Sequence, residues 1–406
     1  MIYFAPTFGA DDAHSYYMAG HFASQQEWSL VYPYFLESGG EARLRYKEIA
    51  LELSGREHSS PFIYPPLWAK LFSLVSTNVD YALFKYLMAG ICACALLCIA
   101  EAARQLVAPG IKSAVALAIQ LAFWGATTIG IVAINELQFQ ALVSALIVLA
   151  FFSAQREEHI AAGLFLAVAA SIKLTPLIFI VLWIAQRNYQ PIKFFVLFGV
   201  ILGLTSILWA GWPAHQLFLE SVISLGTDTI IRYTSFSLTA AVGILSSPEL
   251  VGSLWGNSPA SHQSYQFATF WGVNVLTKIF LVALVIWIAV WGQRIFSNQL
   301  YVYGIPLVTL AIGLSSPLAW GHHYLAAFAF VPLLYLSKGQ RAWAVLFVMG
   351  VAATSIYWVV GGIFPRPVVN VAMPLLATTY GVVFFVSLIW LRPKSITRTQ
   401  FASEQP

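Results

Sequence analysis

Residues 160–186 read IAAGLFLAVAASIKLTPLIFIVLWIAQ, an apolar stretch that contains a single charged residue, Lys173. Pro176 removes a backbone donor and disfavours helix at the residue before it, so the sequence predicts a break between two half-helices here. Arg156 and Arg187 flank the stretch. Because basic residues in short loops stay on the cytoplasmic side, one crossing would put one of them outside. The pattern therefore predicts a re-entrant hairpin with Lys173 at its tip, pointing into a polar pocket.

The composition indicates a membrane protein. Of the 406 residues, 59% are hydrophobic and 9% are charged, whereas soluble domains carry roughly 25% charged residues. The net charge of +4 is modest and the chain has no basic block, which excludes a nucleic-acid partner. The three cysteines, Cys92, Cys94 and Cys98, lie in one apolar run without metal-ligating neighbours in view.

The apolar runs predict an all-α polytopic membrane protein: a bundle of about nine full spans plus the re-entrant hairpin. The runs are 82–103, 112–133, 137–154, 193–211, 268–291, 298–315, 323–337, 342–361 and 372–391. We expect residues 81–406 to form one membrane domain. Residues 1–80 hold a large share of the charge and are expected to form an external N-terminal loop region, which carries a candidate catalytic aspartate. The external loops of the bundle are expected to form the active site with it.

The basic residues alternate between successive loops, which predicts a cytoplasmic C-terminus. The same alternation places the N-terminal region outside. Met1–Phe8 reads like the end of a helix, and we expect the natural reading frame to start upstream and to supply one further span.

Two adjacent carboxylates, Asp11 and Asp12, begin the first polar motif. They could cap a solvated helix, or one could act as a general base that takes a proton from an acceptor hydroxyl. The second motif, Tyr64-Pro65-Pro66-Leu67, reads mainly as a rigid entry into a helix.

A lysine inside a membrane segment indicates a functional site by default, although a lysine nearer the interface could snorkel. A cation at a broken helix suits a phosphate. The fourth motif ends in His322-His323; adjacent histidines rarely chelate one ion and no third ligand is evident, so we expect no metal there. Further polar residues lie on the same outer side, and they are Asn135, Glu136, Gln138, Arg232, Ser237 and Arg366.

The order of these motifs resembles that of the GT-C glycosyltransferases, most closely glycosyltransferase family 87, which includes polyprenol-phosphate-mannose-dependent alpha-mannosyltransferases. The matching residues are Asp12, Tyr16, Tyr17 and Ala19; Tyr64–Leu67; Ala162-Gly163 with Lys173–Pro176; and Ser316-Pro317, Trp320, His322 and His323. The chain departs from the family where Asn135-Glu136-Leu137-Gln138 replaces the usual Gly-Gln-x-Asn, which leaves the polar contacts there open.

The resemblance implies that Asp12 is the general base, with Asp11 as the second candidate. Lys173, His322 and His323 would hold the donor phosphate, without a metal or a cofactor. We expect further substrate contacts from Tyr16, Tyr64, Gln138, Arg232 and Arg366. The co-substrate would be a polyprenyl-phosphate sugar, and mannose is the sugar that we expect. The acceptor would be a glycolipid or glycan, reached from the periplasmic or external face of a bacterial inner (plasma) membrane.

Two other classes of protein stay open. A secondary transporter or lipid flippase would use Lys173 and Asp12 as coupling or substrate sites, although such proteins usually show two repeated halves. An enzyme like an O-antigen ligase or polymerase would use a lipid diphosphate, for which Arg232 and Arg366 are candidate ligands.

Overall fold

The computed structural model describes most of the chain, and everything below concerns these residues. They are 10–32, 39–56, 60–225, 228–231, 234–246, 265–268, 271–338, 341–360 and 366–391. Met1–Phe8, at which the sequence suggests a truncated helix, lies outside them.

The described chain is almost entirely helical. The first half contains α1 Asp11–Ser24, α2 Trp28–Val31, α3 Gly39–Ser54, α4 Pro66–Ser76, α5 Tyr81–Val107, α6 Ser113–Ala126, α7 Thr128–Asn135, α8 Gln140–Gln155, α9 His159–Ile172 and α10 Ile180–Gln186. The second half contains α11 Gln190–Ala210, α12 Trp212–Leu225, α13 Leu238–Ser246, α14 Trp271–Phe296, α15 Leu300–Ser315, α16 Leu325–Phe328, α17 Val331–Lys338, α18 Arg341–Val360 and α19 Arg366–Trp390. Three 3-10 turns, Thr175–Phe179, Ser297–Gln299 and Gly321–Tyr324, join some of these helices.

One short antiparallel ribbon departs from the expected all-α architecture. Strand β1, Asp228–Ile231, pairs with β2, Tyr265–Ala268, in a register that sets Asp228 opposite Ala268. The ribbon lies between α12 and α14 in the chain.

The expected count of nine spans is not confirmed. Helices occupy all nine predicted positions, but only four described segments are long and apolar enough to cross a bilayer: Tyr81–Val107, Gln190–Ala210, Trp271–Ser315 and Val371–Trp390. The run 112–133 is a pair, α6 and α7, bent by 84°, which makes a fifth span if the pair counts as one. The run 323–337 is divided among a 3-10 turn and the short helices α16 and α17. Irregular backbone at membrane depth is tolerated where protein rather than lipid surrounds it.

The backbone leaves helical geometry at Lys173, where Pro176 predicts a break. Helix α9 ends at Ile172, Lys173 is extended with φ −138° and ψ 142°, and a 3-10 turn leads into α10. The re-entrant course of this segment stays a prediction.

The core of the bundle brings distant segments together around α9. Helix α9 packs against α8 and α11, α1 packs against α4, and α5 packs against α8. Gly163 allows the close approach of α9 to α11, because a Cβ there would lie 2.6 Å from the backbone nitrogen of Phe195. Small residues are what let helices approach closely in membranes. This packing sets the break at Lys173 beside the N-terminal end of α1.

Candidate active site

Asp12 lies in the first turn of α1, at a helix N-terminus that is itself held by α7. Ala10 adopts a left-handed conformation with φ 52° before the helix, and its N–H donates to the carbonyl of Asn135 at 2.9 Å. The N–H of Asp11 donates to Glu136 Oε2 at 3.2 Å. The partial positive charge of the helix N-terminus favours an ionised carboxylate at this position.

The Asp12 carboxylate is 5% exposed and receives hydrogen bonds from two elements. The Gln138 amide donates to its Oδ2, and the Ser60 side chain also bonds to it. Burial, and then the negative charge of Glu136, raise the pKa of Asp12 to about 7. A general base works best when its pKa is near the operating pH, so this carboxylate has the protonation behaviour that base catalysis needs.

The structure separates the two adjacent carboxylates. Asp11 forms an ion pair with Arg56, which also donates to Tyr81 Oη at 3.5 Å. Asp12 instead lines a buried cavity that does not include Asp11. The geometry therefore favours Asp12 over Asp11 as the group that meets a substrate.

Lys173 reaches the same cavity from the broken end of α9. Its ammonium nitrogen donates to Gln140 Oε1 at 3.0 Å and lies 5.5 Å from the ring centroid of Tyr64. The His323 Nε2 atom lies 3.2 Å from the same nitrogen.

The proton on His323 can be assigned from its other ring nitrogen. The N–H of Trp320 donates to His323 Nδ1 at 3.0 Å, so Nδ1 is an acceptor and the proton is on Nε2. Burial and the charge of Lys173 hold the pKa of His323 well below its usual range, which agrees with this neutral form. Two N–H donors, on Lys173 and His323, therefore face one another across 3.2 Å. An anion that accepts from both relieves this arrangement.

His322 adds further donor capacity. It is 1% exposed, and neither of its ring nitrogens has a hydrogen-bond partner among the described residues. Burial, with Lys173 as a smaller contribution, keeps the pKa of His322 well below its usual range. A buried imidazole without a partner is costly, and its place in the cavity wall gives it access to a ligand.

Two cavities meet at Lys173 and His323. The first is lined by Asp12, Ser60, Pro61, Ile63, Tyr64, Gln138, Lys173, Leu318, Trp320, His322 and His323. The second lies on the other side of this pair and carries the polar side chains of Gln140, Thr175, Thr309 and Ser316 among apolar ones. The first cavity thus joins a carboxylate, a cation and two imidazoles that come from three separate parts of the chain.

A larger apolar groove of about 550 Å³ is lined in part by chain neighbours of residues in the first cavity. Pro65 and Leu174, the chain neighbours of Tyr64 and Lys173, line its near end, and α11 and α12 form its far wall. Along α11 it extends from Phe195 to Ile207, which is ~18 Å at 1.5 Å per residue. The groove runs along one of the helices long enough to cross a bilayer.

Not every expected substrate residue joins this site. Tyr64 and Gln138 line the first cavity, whereas Tyr16 lies behind them, 1% exposed, and contacts Tyr64. Arg232 lies outside the described residues. Arg366 begins α19, but its side chain is outside what the structure describes.

Sequence reasoning did not identify Ser60 or Gln140 as members of the site. Gln140 begins the apolar helix α8, and a polar residue at the head of an apolar run is the signal that could have found it. Ser60 has no comparable signal, because it lies outside the helices and becomes relevant only through its contact with Asp12.

Comparison with known proteins identifies one family. The sequence model of glycosyltransferase family 87 matches residues 62–312, more than half of the chain. The matched region includes Tyr64, Gln138 and Lys173, while Asp12, His322 and His323 lie beyond its ends. No curated protein and no solved structure matches the chain.

Proposed function

Because the chain belongs to glycosyltransferase family 87, we propose that it transfers a sugar from a polyprenyl-phosphate donor to a glycolipid or glycan acceptor. It is a glycosyltransferase with several apolar helices able to span a membrane. Mannose is the sugar that we propose first, because the family includes polyprenyl-phosphate-mannose-dependent enzymes.

The observation that carries this proposal is the pair of donors at Lys173 and His323. Their nitrogens are 3.2 Å apart, and both have hydrogens to donate into the cavity that Asp12 lines. Such a pair suits the oxygens of a phosphate monoester. His322, with both ring nitrogens unpartnered among the described residues, supplies a third contact. A phosphate placed there presents its sugar toward Asp12.

The proposed reaction is a displacement at the anomeric carbon. The acceptor oxygen forms a bond to this carbon while the bond from the carbon to the phosphate oxygen breaks. Asp12 takes the proton of the acceptor hydroxyl, and the electron pair of the broken bond stays on the leaving polyprenyl phosphate. Because the negative charge on this phosphate grows as the bond breaks, Lys173 and the two histidines stabilise the transition state more than the bound substrate.

The polyprenyl chain is proposed to lie in the apolar groove along α11. The groove starts at Leu174 and Pro65, next to the phosphate donors, and its lining is almost entirely apolar. An isoprenoid tail bound there would pack against the apolar lining while its phosphate reaches Lys173. The groove would hold a long apolar tail, and a nucleotide-sugar donor has no such tail.

The proposal includes metal independence, because Lys173, His322 and His323 provide donors for a monophosphate without a bridging cation. Addition of EDTA to the purified enzyme should leave transfer unchanged. Strong inhibition that added Mg²⁺ or Mn²⁺ reverses would contradict this part of the proposal.

The reaction is proposed to occur on the periplasmic or external face of a bacterial inner membrane, with a cytoplasmic C-terminus. In whole cells, an impermeant thiol reagent should label a cysteine at Glu41 and not one at Lys193, since both positions are exposed and the charge pattern puts them on opposite sides. Labelling of the position at Lys193 alone would overturn this orientation.

The two other classes of protein are less well supported. Family membership supports a transferase over a transporter or flippase. For a lipid-diphosphate enzyme like an O-antigen ligase or polymerase, the candidate ligands would be Arg232 and Arg366, whose side chains lie outside what the structure describes. The donor set that is described suits a monophosphate.

The central experiment measures transfer of radiolabelled mannose from polyprenyl phosphate into a membrane extract by the purified protein. The wild type should label an acceptor lipid or glycan, and Asp12→Asn should abolish the label. Glu48→Gln, which neutralises an exposed acid on α3, is the matched control and should transfer normally. Absence of transfer with mannose and with other polyprenyl-phosphate sugars would overturn the proposed function.

A further inference from the structure

We propose that Gln138 is a positioning residue for Asp12, and that the hydroxyls of Tyr16 and Tyr64 fix the orientation of its side-chain amide. The inference rests on the proposed function for the role of Asp12. The sequence predicts that Tyr16 and Gln138 contact the substrate. In this proposal both residues act instead through the Asp12 carboxylate.

The direction of the hydrogen bonds starts at a backbone N–H, which can only donate. The N–H of Phe139 donates to Tyr16 Oη at 3.2 Å, and the oxygens of Tyr16 and Tyr64 are 2.9 Å apart. Tyr64 Oη donates to Gln138 Oε1 at 3.3 Å. The hydrogen of Tyr16 therefore points to Tyr64, so that every donor in the sequence of bonds has an acceptor.

This ordering decides which end of the Gln138 amide faces Asp12. With Oε1 engaged by Tyr64, the Nε2 hydrogens face the carboxylate and donate to Oδ2. The flipped amide would set an oxygen against the carboxylate oxygen, and two acceptors repel. Because Gln138 is 4% exposed, water cannot readily replace the lost donor.

The backbone around Gln138 supports the same orientation. After α7, the N–H of Leu137 donates to the carbonyl of Ile134 at 3.3 Å and that of Gln138 to Ala133 at 3.1 Å, the two bonds of a Schellman cap. Leu137 holds the left-handed position with φ 53°, where glycine is usual. Tyr16 stacks on Phe72 and Phe139, with ring centroids 5.2 and 5.1 Å away. The two ends of this series of hydrogen bonds, Tyr16 and Gln138, are thus held in place by ring packing and by the helix cap.

We expect the Gln138 amide to stabilise the ionised form of Asp12, which burial disfavours. Several other groups also act on this carboxylate, and a change at Gln138 leaves them in place. They are Glu136 and Asp11, the latter paired with Arg56; Lys173; the Ser60 side chain; buried Cys92; and His322 and His323 across the cavity. Loss of the amide donor should therefore raise the pKa of Asp12 further above its already raised value.

The first test is the dependence of kcat/KM on pH. In the wild type, activity should rise as Asp12 ionises, with an acidic limb near pH 7. Gln138→Leu should move this limb upward by about one pH unit. Tyr64→Phe and Tyr16→Phe keep the aromatic rings, and each should move the acidic limb upward by a smaller amount. Tyr17→Phe is the matched control, because Tyr17 is the next residue of α1 but donates to the carbonyl of Val79; its limb should match the wild type.

A second readout does not require turnover. The infrared band of the protonated Asp12 carboxyl, assigned by its loss in Asp12→Asn, can be titrated in the same variants. An upward shift of its midpoint in Gln138→Leu and Tyr64→Phe supports the positioning role even if no sugar is transferred, in which case the proposed function alone fails. Unshifted midpoints in both variants, with the limb unmoved, overturn the positioning role while leaving the proposed function intact.

Discussion

At the scale of single residues, the site depends on which atoms carry protons. The acceptor role of His323 Nδ1 puts a proton on Nε2, opposite the ammonium of Lys173. The acceptor role of Gln138 Oε1 puts the amide hydrogens on Asp12. Donors thus point into the cavity at one side and toward the carboxylate at the other. A phosphate and an acceptor hydroxyl fit this polarity, since the first accepts hydrogen bonds and the second donates to a base.

Lys173→Met tests the donor side of the site at this scale. It keeps the length and apolar stem but removes the charge that would stabilise the proposed leaving phosphate, so we expect kcat/KM to fall by about 100-fold or more. Initial rates with purified polyprenyl-phosphate mannose measure the loss. Lys193→Met, at an exposed lysine of α11, is the control and should retain wild-type rates. A value for Lys173→Met within twofold of the wild type would contradict a phosphate contact.

At the scale of elements, the position of Lys173 depends on how α9 fits against α11. Gly163 has no room for a Cβ, which would lie 2.6 Å from both Phe194 Cβ and the nitrogen of Phe195. Ten residues later along the same helix, the chain breaks and presents Lys173. A shift of α9 away from α11 would therefore also displace the ammonium from His323 and widen the groove.

Gly163→Ala should destabilise the protein by about 1–3 kcal/mol, the usual effect of overpacking a closely packed contact. Thermal unfolding in detergent, followed by circular dichroism, measures the change. Gly90→Ala is the matched control because a Cβ at Gly90 meets nothing within 4 Å, and it should leave the midpoint unchanged or raise it slightly. Equal midpoints for the two variants would show that the α9–α11 contact can accommodate a methyl group at Gly163, contrary to this prediction.

At the scale of the whole molecule, the polar cavity and the apolar groove are lined by residues that are neighbours in the chain, Tyr64 with Pro65 and Lys173 with Leu174. The groove includes Leu174, the residue after Lys173, and continues along a helix that is long enough to cross a bilayer. A ligand with a charged head and a long apolar tail matches both parts at once. This arrangement is also why the groove should discriminate between donors by the length of the tail and not by the sugar.

Gly203→Trp tests this arrangement. A Cβ at Gly203 meets nothing within 4 Å, and the residue lines the groove, so an indole there should fill space without displacing the helices. We expect KM for a long-chain donor to rise roughly tenfold, equivalent to about 1.4 kcal/mol, because the indole occupies space that the tail would fill. Gly90→Trp, at an open position of α5, is the control and should leave KM unchanged. A KM for Gly203→Trp equal to that of the wild type would contradict tail binding in the groove.

Several features of the fold were predictable because they depend on local properties of the chain. Low charge content and long apolar runs predict a membrane protein, and Pro176 predicts the helix break at Lys173. The number of spans was not predictable in this way. Runs such as 112–133 and 323–337 are as apolar as spans but are bent or divided inside the bundle, where apolar composition reflects burial against protein and not only contact with lipid.

The sequence by itself determined the membrane class, the break that carries Lys173, and the polar motifs that resemble a glycosyltransferase family. Each of these follows from hydropathy, proline geometry or residues close together in the chain. Only the tertiary structure decided how the motifs combine. Gln138 meets Asp12 across 126 residues of chain, and Lys173 meets His323 across 150. Partners so far apart are chosen by how the helices pack, and the direction of each hydrogen bond depends on which donors and acceptors that packing brings into contact.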